Sequence, residues 1–268
     1  MSGVAASGGA DLRLRQIAFA AHDMDLAEAQ LRAAFGLPAG YHDPGIIHYG
    51  LRNTVLRAGG DFLEIVEPVR ADASAARYLA RRGGDAGYMV IFQAADALAH
   101  REQTRAQGAA IVDVLDHREH QATHYHPREF DGVLVSIDAA PQVADWRRSD
   151  SFWHPAGPDW QSAAAGDVVG IAEVAIASAD PAGTAARWGR MIDAAPRETA
   201  EGWRIDLLHH AAVRFVPAAR GVAPGISGLV LYVAGLPAAR ARIASASVPM
   251  AGDAALICNV PIRVLAAP

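Results

Sequence analysis

Residues 15–36 read RQIAFAAHDMDLAEAQLRAAFG. The first residues are apolar and strand-like, Asp23 and Asp25 follow, and apolar residues then recur at helical spacing up to Gly36. Aspartate is a favoured helix N-cap, and glycine is a favoured residue just after a helix. The stretch therefore predicts a strand that leads directly into a capped helix.

The same layout recurs three times along the chain, at residues 87–108, 172–193 and, more weakly, 227–246. In the third copy Pro181 follows Asp180, as a first-turn proline should. Short β-type segments follow each helix, among them DFLEIVEP at 61–68 and GVLVSID at 132–138. The repeat predicts an α+β fold built from four strand–helix–strands units in series.

Composition excludes several classes of function. The chain has 268 residues, of which 51% are hydrophobic and 20% charged, as in a globular protein with a sizeable core. Its 24 basic side chains are all arginine and scattered, and the formal net charge is −5, so we expect no nucleic-acid partner. Cys258 is alone, which excludes an intramolecular disulfide and a cysteine-rich zinc site.

The sequence also predicts that the protein has no membrane partner. No apolar run approaches the roughly 18 residues of a membrane span. The stretch MSGVAASGGAD at residues 1–11 lacks the basic and apolar regions of a secretion signal. We therefore expect a cytoplasmic location.

A segment rich in proline, glycine and polar residues separates the second unit from the third. It predicts a first domain at 12–140, a linker at 141–166 and a second domain at 167–268. The linker holds Trp146, Trp153 and Trp160, and a solvated linker rarely keeps three indoles. Two interpretations follow: the indoles pack the linker onto a domain, or they form a lid over a pocket.

Four such units, together with the phrases FLEIVEP and FDGVLVSID, resemble the vicinal oxygen chelate superfamily. This superfamily includes glyoxalase I, extradiol dioxygenases and bleomycin resistance proteins, and the likeness is greatest to its uncharacterised bacterial glyoxalase-like members. The resemblance implies tandem βαβββ units that form two domains, each with a cup-shaped sheet around a small-molecule ligand or substrate. It allows a homodimer, and it leaves open which units pair to form each cup.

The resemblance implies where the site residues lie, near the start of each unit's first strand and in its last strand. In the first half the matching positions are Gln16, Glu64, Tyr88 and Ser136, and each unit spans 48 residues between its two positions. Strand alternation then turns Met89 and other aliphatic residues of the same strands, including Ile91, toward the helices. A phenol and a serine hydroxyl are poor ligands for a divalent metal, so the family's four-ligand centre is incomplete.

The second half matches the ligand positions even less well. Its corresponding residues are Glu173, Arg214, Gly228 and Arg263. Guanidinium groups repel a cation and cannot ligate it. We interpret this half as a scaffold or, alternatively, as a pocket for an anion.

Two histidines in the segment QATHYHPREF are candidates to complete the first site. His124 and His126 lie two apart on a predicted strand, so they share a face, and Tyr125 points the other way. We expect the imidazoles on the cup face, with His126 nearer to Glu64; the alternative is a purely structural role. His48 and Asn53 are candidates to line the same cup. Three other polar residues, Asp116, His117 and His120, are interpreted as solvated loop residues.

Two functional hypotheses follow, and whether the protein is an enzyme stays open between them. In the first, the protein is a lyase, isomerase or dioxygenase with Glu64, His126 and Tyr88 as catalytic residues. Gln16, Glu64 and His126 would hold one divalent ion (Zn, Fe, Mn or Ni), and the substrate would be bound by His48, Asn53, His124 and Ser136. In the second, the protein binds or sequesters a small, partly aromatic molecule and has no cofactor.

Overall fold

The computed structural model describes residues 11–162 and 166–268. Residues 1–10, on which the expectation about a secretion signal depends, and residues 163–165 of the predicted linker lie outside the described residues. Two sheets and several helices make up the described part. This mixed architecture confirms the predicted α+β class and its tandem units.

The first two sequence repeats form one sheet. Its strands are β1 (Arg13–Ala20), β2 (Leu51–Ala58), β3 (Asp61–Pro68), β4 (Ala86–Gln93), β5 (Ile111–Asp116), β6 (Gln121–Tyr125) and β7 (Leu134–Ala139). They are ordered β2-β3-β1-β4-β7-β6-β5, and β1 runs parallel to β3 and antiparallel to β4. The pairing that the sequence left open is therefore unit one with unit two. In unit one the first of the three later strands is reduced to a single bridge between Tyr41 and Val55.

The third and fourth repeats form a second sheet of the same plan. Its strands are β8 (Val168–Ser178), β9 (Arg197–Thr199), β10 (Gly202–Asp206), β11 (Ala212–Pro217), β12 (Gly225–Val233), β13 (Met250–Ala251), β14 (Ala254–Ile257) and β15 (Val260–Ala266). Their order is β13-β14-β15-β12-β8-β11-β10-β9. The central pair of each sheet is thus formed by the first strands of its two units.

The α-helices of the described residues are α1 (Met24–Phe35), α2 (Ser74–Arg82), α3 (Ala97–Ala106), α4 (Pro181–Met191) and α5 (Leu236–Ser245). As predicted, the Asp23 side chain caps α1 by accepting from Leu26 N at 2.9 Å, and Gly36 ends it at φ 66°. Helix α2 was not predicted. Within the described ranges no helix is long and apolar enough to cross a membrane.

The two faces of the first sheet bury different clusters. The helix face, which carries Ile17, Phe19, Val90 and Val135, belongs to one apolar core that continues into the second sheet. The opposite face, here called the cup face, carries Gln16, Glu64 and Ser136 among apolar neighbours, and α2 packs on it. Its apolar members include Ala18, Phe62, Val66, Met89 and Ile91.

The first sheet curls so that a side chain next to one edge reaches the opposite edge strand. Strands β2 and β5 are opposite edges of the sheet. Nevertheless the Tyr49 hydroxyl, two residues before β2, donates to Asp113 Oδ2 of β5 at 2.5 Å. This hydrogen bond therefore closes one side of the cup face.

The tryptophans of the connecting segment are buried. Trp153 is 0% exposed and Trp160 5%, and both belong to the apolar cluster on the cup face. Trp146 is 7% exposed. The segment therefore covers the first sheet, as the packing interpretation predicts.

Candidate functional site

Glu64 lies at the centre of the cup face with two neutral partners. Asn53 Nδ2 donates to its Oε1 at 2.7 Å and Gln16 Nε2 to its Oε2 at 2.8 Å. The carboxyl group is buried and makes no ion pair among the described residues. Burial is the main cause that raises the pKa of Glu64 above the usual range, and the two amide donors partly oppose it.

Trp153 completes this network from the connecting segment. Its indole Nε1 donates to Gln16 Oε1 at 2.8 Å. The Gln16 amide is therefore fixed at both ends, because its nitrogen donates to Glu64 while its oxygen accepts from the indole. Glu64, Asn53, Gln16 and Trp153 thus form one buried chain of hydrogen bonds.

The residues predicted as metal ligands do not form a ligand set. Each Glu64 oxygen accepts from an amide NH₂ group, and the Gln16 oxygen faces an indole N–H, so donors occupy the positions that a cation would take. In residues 11–162 and 166–268 no group of three or more His, Cys, Asp or Glu side chains could hold a metal ion. The arrangement therefore does not fit a resident divalent ion.

His126 is not part of this site, contrary to the prediction. The strand β6 ends at Tyr125, and His126 is an exposed N-cap whose Nδ1 accepts from Arg128 N at 3.1 Å. The proline at 127 starts a 3-10 turn there, so strand alternation no longer applies. Tyr125 does point to the helices, where its hydroxyl lies 2.9 Å from Thr104 Oγ1.

His124 does lie on the cup face, paired in register with Ser136. Its Nδ1 is 3.8 Å from Asp113 Oδ2, the oxygen to which Tyr49 donates. Burial lowers the pKa of His124, and the same cause raises the pKa of Tyr49, with the Asp113 hydrogen bond adding to it. A neutral imidazole therefore faces the interior beside a carboxylate.

A second imidazole–carboxylate pair lies on the same face. His120 Nε2 is 2.8 Å from Asp138 Oδ2, and Ser136 donates to the other Asp138 oxygen. Asp138 is buried, and His120 keeps 12% of its side chain exposed. The His120 ring meets Trp153 edge-on, with centroids 5.7 Å apart. The interpretation of His120 as a solvated loop residue is therefore wrong.

Three other predicted positions need correction. His48 lies on a 3-10 turn, Pro44–Tyr49, where its exposed ring bonds Gly45 O at 2.5 Å, and not on a strand of the cup. A bulge in the β1–β4 register lets Tyr88 pack on the cup side together with Met89 and Ile91, which were predicted to face the helices. The Tyr88 hydroxyl lies 3.3 Å from Ser74 Oγ of α2.

A cavity of about 400 Å³ opens next to the second imidazole–carboxylate pair. Tyr41, Phe152 and His154 contribute to its walls. The His154 ring stacks on His120 with centroids 5.8 Å apart. The cavity therefore reaches His154, whose ring covers one face of the His120 ring.

The second sheet carries a different set at the matching positions. Glu173 Oε1 accepts from Arg214 Nε at 2.6 Å and Glu173 Oε2 from Arg204 Nη1 at 2.9 Å. This Glu173–Arg214 contact occupies the positions of the Gln16–Glu64 contact in the first sheet. Arg263 pairs with Asp253, at 3.1 Å. The guanidinium charges are thus matched by carboxylates.

The sequence interpretation missed the position of His120 and the contact of Trp153 with Gln16. Asp138 lies two residues after Ser136 on the same strand, so strand alternation predicts that both side chains lie on the cup face. His120 gave no such signal, because it lies in a turn between strands. The contact of Trp153 with Gln16 joins residues 137 positions apart, which no local pattern reveals.

The chain is similar to one protein family and to several solved structures. The family profile described as glyoxalase-like domain matches residues 17–192. A triple mutant of 4-hydroxymandelate synthase from Streptomyces coelicolor superposes with a TM-score of 0.66 at 17% identity, over 88% of this chain and 75% of that chain. Methylmalonyl-CoA epimerase from Streptomyces coelicolor, in complex with 2-nitronate-propionyl-CoA, gives a TM-score of 0.44 at 23% identity, over 48% of this chain and 96% of that chain. No curated protein matches the sequence significantly.

Proposed function

This chain belongs to the glyoxalase-like domain family, within the vicinal oxygen chelate superfamily, and from that premise we propose that it binds a small, partly aromatic molecule on the cup face of the first sheet without a resident divalent metal. The site comprises the Glu64 network and the two imidazole–carboxylate pairs. The expected division into a domain at 12–140, a linker at 141–166 and a scaffold domain at 167–268 is part of this proposal.

One observation carries the proposal: the Glu64 carboxylate and the Gln16 amide are satisfied by Asn53 and Trp153. A metal would have to displace two amide donors and an indole from buried positions, and each group left unpaired would cost roughly 1 to 3 kcal/mol. The network instead fixes a polar patch among aromatic rings. Such a surface suits a planar organic ligand with few polar groups.

A second candidate function, proton-transfer catalysis, is favoured by the pair His120 and Asp138. The carboxylate engages one ring nitrogen at 2.8 Å and so fixes the orientation of the imidazole. The other nitrogen can then exchange a proton with a ligand that lies in the plane of the ring. A lyase or isomerase reaction of this kind needs no metal in the site.

Metal content tests the proposal directly. For protein purified without chelator or metal-affinity resin, we expect elemental analysis to find well under about 0.2 divalent ions per chain. We also expect the thermal unfolding midpoint to be the same before and after chelator treatment. About one ion per chain that is lost together with stability would contradict the proposal.

Ligand binding tests the location. We expect aromatic alcohols, acids or amides of one or two rings to quench tryptophan fluorescence, because Trp153 lies in the site. His120→Ala should weaken that binding roughly tenfold, whereas His117→Ala, at an exposed position of the same turn, should not. Equal effects of the two substitutions would place the ligand elsewhere. A cytoplasmic location and a homodimer stay predictions.

A further inference from the structure

A buried arginine on the cup face has no acidic partner. Arg15 is the extra residue of a β1 bulge between Leu14 and Gln16, so its side chain joins Gln16 on the cup face. It is 0% exposed, and its guanidinium carbon lies 5.2 Å from the Phe62 ring, 5.4 Å from Trp153 and 5.6 Å from Trp160. Three aromatic rings therefore surround the charge.

The guanidinium makes only one hydrogen bond to the described residues. Its Nη2 donates to Ser151 O at 2.5 Å, while Nε and Nη1 have no partner among the residues described. The acids nearby are engaged elsewhere, because Asp61 pairs with Arg13 and Asp150 with Arg148. Aromatic faces stabilise a cation. They do not accept conventional hydrogen bonds from the N–H groups of the guanidinium. A buried charge in this state is costly unless something pairs with it.

A second unpartnered polar group lies at the same end of the cup. Gln93 is 0% exposed, and neither its amide nitrogen nor its amide oxygen has a partner in the described part of the chain. In register it is the neighbour of Arg13 on one side and of Asp138 on the other, so it shares the cup face with them. Strand β1 and strand β4 thus each supply a buried donor that no described residue satisfies.

We propose that Arg15, with Gln93 on the adjacent strand β4, is the anchor for a carboxylate group of the ligand that binds in the cup. A carboxylate offers acceptor lone pairs to Nε, Nη1 and an amide N–H, and it supplies the charge that the guanidinium lacks. The aromatic rings around Arg15 exclude water from this pair and contact the apolar part of the same molecule. Trp153 touches both Arg15 and His120, so a ligand anchored here reaches the imidazole.

The anchor identifies the class of ligand for the proposed function, and this inference rests on that function. The ligand is an organic monocarboxylic acid with an apolar or aromatic body. Entry requires the segment around Ser151 and Trp153 to move, because that segment covers Arg15. Ligand binding should therefore change the tryptophan fluorescence, because Trp153 lies in the segment that moves.

The test compares acids with their amides. Benzoate and phenylacetate, and benzamide and phenylacetamide as neutral analogues, are titrated at constant ionic strength against tryptophan fluorescence and thermal unfolding. For wild type we expect at least one acid to bind roughly tenfold or more tightly than its amide. Arg15→Met should abolish this preference by weakening acid binding far more than amide binding, while its unfolding temperature stays the same or rises because a buried unpaired charge is removed.

Two further variants keep the test decisive. Arg57→Met removes another guanidinium that lies over Trp160, at 5.2 Å, and should keep the preference for the acid. Arg15→Lys retains a charge without the Nε and Nη1 donors, so it tests the anchor if Arg15→Met does not fold; it should weaken acid binding more than amide binding.

Each result decides between the two proposals. If Arg15→Met keeps the wild-type preference for the acid, or if it simply lowers stability while both ligands bind as before, the anchor is overturned. If wild type binds acids and amides equally, the anchor fails and the proposed small-molecule site stands. If wild type binds neither up to about 10 mM, the binding proposal fails as well.

Discussion

Trp153 and Gln16 form a buried hydrogen bond of 2.8 Å across 137 residues of sequence. The bond ties the segment between the two sheets to the first strand of the fold. It also occupies the amide oxygen that a metal would need at the position where the superfamily resemblance implies a ligand. This one hydrogen bond therefore fixes the connecting segment over the cup face and makes the Gln16 oxygen unavailable to a metal.

Trp153→Phe tests the contribution of that bond. The substitution removes the donor and leaves Gln16 Oε1 buried and unpaired, which we expect to lower the free energy of unfolding by roughly 1 to 3 kcal/mol beyond the loss of ring area. Trp160→Phe is the matched control, because its Nε1 has no partner within the described ranges. Urea unfolding of both variants measures the difference. Equal losses would show that the bond contributes nothing.

The raised pKa of Glu64 predicts a pH dependence of stability. A carboxyl group whose folded-state pKa lies above its unfolded value of about 4.3 stabilises the fold when protonated, and that contribution is lost as pH rises through the folded-state pKa. We expect wild type to lose stability relative to Glu64→Gln over that range. Urea unfolding between about pH 4 and pH 8 measures it.

The control for this pH series is Glu119→Gln, at an exposed position. Its free energy of unfolding should follow the wild-type curve at every pH. A difference between wild type and Glu64→Gln that does not change with pH would show that Glu64 has the same pKa in the folded and unfolded states. In that case the two amide donors fully offset the effect of burial on that pKa.

The repeat of units was predictable because its signals are local. Asp23 and Gly36 delimit α1 by capping chemistry, which acts within one turn of helix. The spacing that places Gln16 and Glu64 on one face is equally local, since it depends on strand alternation. These features require no knowledge of distant contacts.

The site was less predictable because small irregularities decide it. The bulge at Arg15 and the one near Tyr88 each shift the alternation by one residue, and the turn at Pro127 removes His126 from the strand. Helix α2 lacks a side-chain cap at Ala73, so its start gave no signal. The cover formed by Trp153 depends on long-range packing that no periodicity encodes.

Tyr125 and His126 are adjacent but should respond differently to mutation. Tyr125 is 0% exposed and packs against Phe130, with ring centroids 5.8 Å apart. We expect Tyr125→Ala to lower the free energy of unfolding by roughly 3 to 5 kcal/mol through cavity formation. His126→Ala removes only a cap on a short turn and should cost at most about 1 kcal/mol. Thermal and urea unfolding of the two proteins compare them.

His126→Ala should also leave ligand binding as in wild type, since the residue lies outside the site. Loss of binding in this variant, with stability retained, would show that His126 belongs to the functional site. Tyr125→Phe serves as the conservative control. It keeps the ring and removes only the hydroxyl contact with Thr104, so it should fall between the two alanine variants.

Asp61 joins the two sheets through a buried carboxylate. Its Oδ1 accepts from Arg13 Nε and its Oδ2 from the backbone N–H of Ile171 in β8, both at 2.9 Å. Asp61→Ala leaves the Arg13 guanidinium without its acidic partner and the Ile171 amide without an acceptor, so we expect a loss of roughly 3 to 5 kcal/mol in the free energy of unfolding. Asp253→Ala breaks an exposed pair with Arg263 and should leave stability essentially unchanged.

Because the lost contacts connect different sheets, the urea transition of Asp61→Ala should also broaden or split, as the sheets unfold less cooperatively. A sharp, single transition with wild-type stability would show that the apolar core alone couples the two halves.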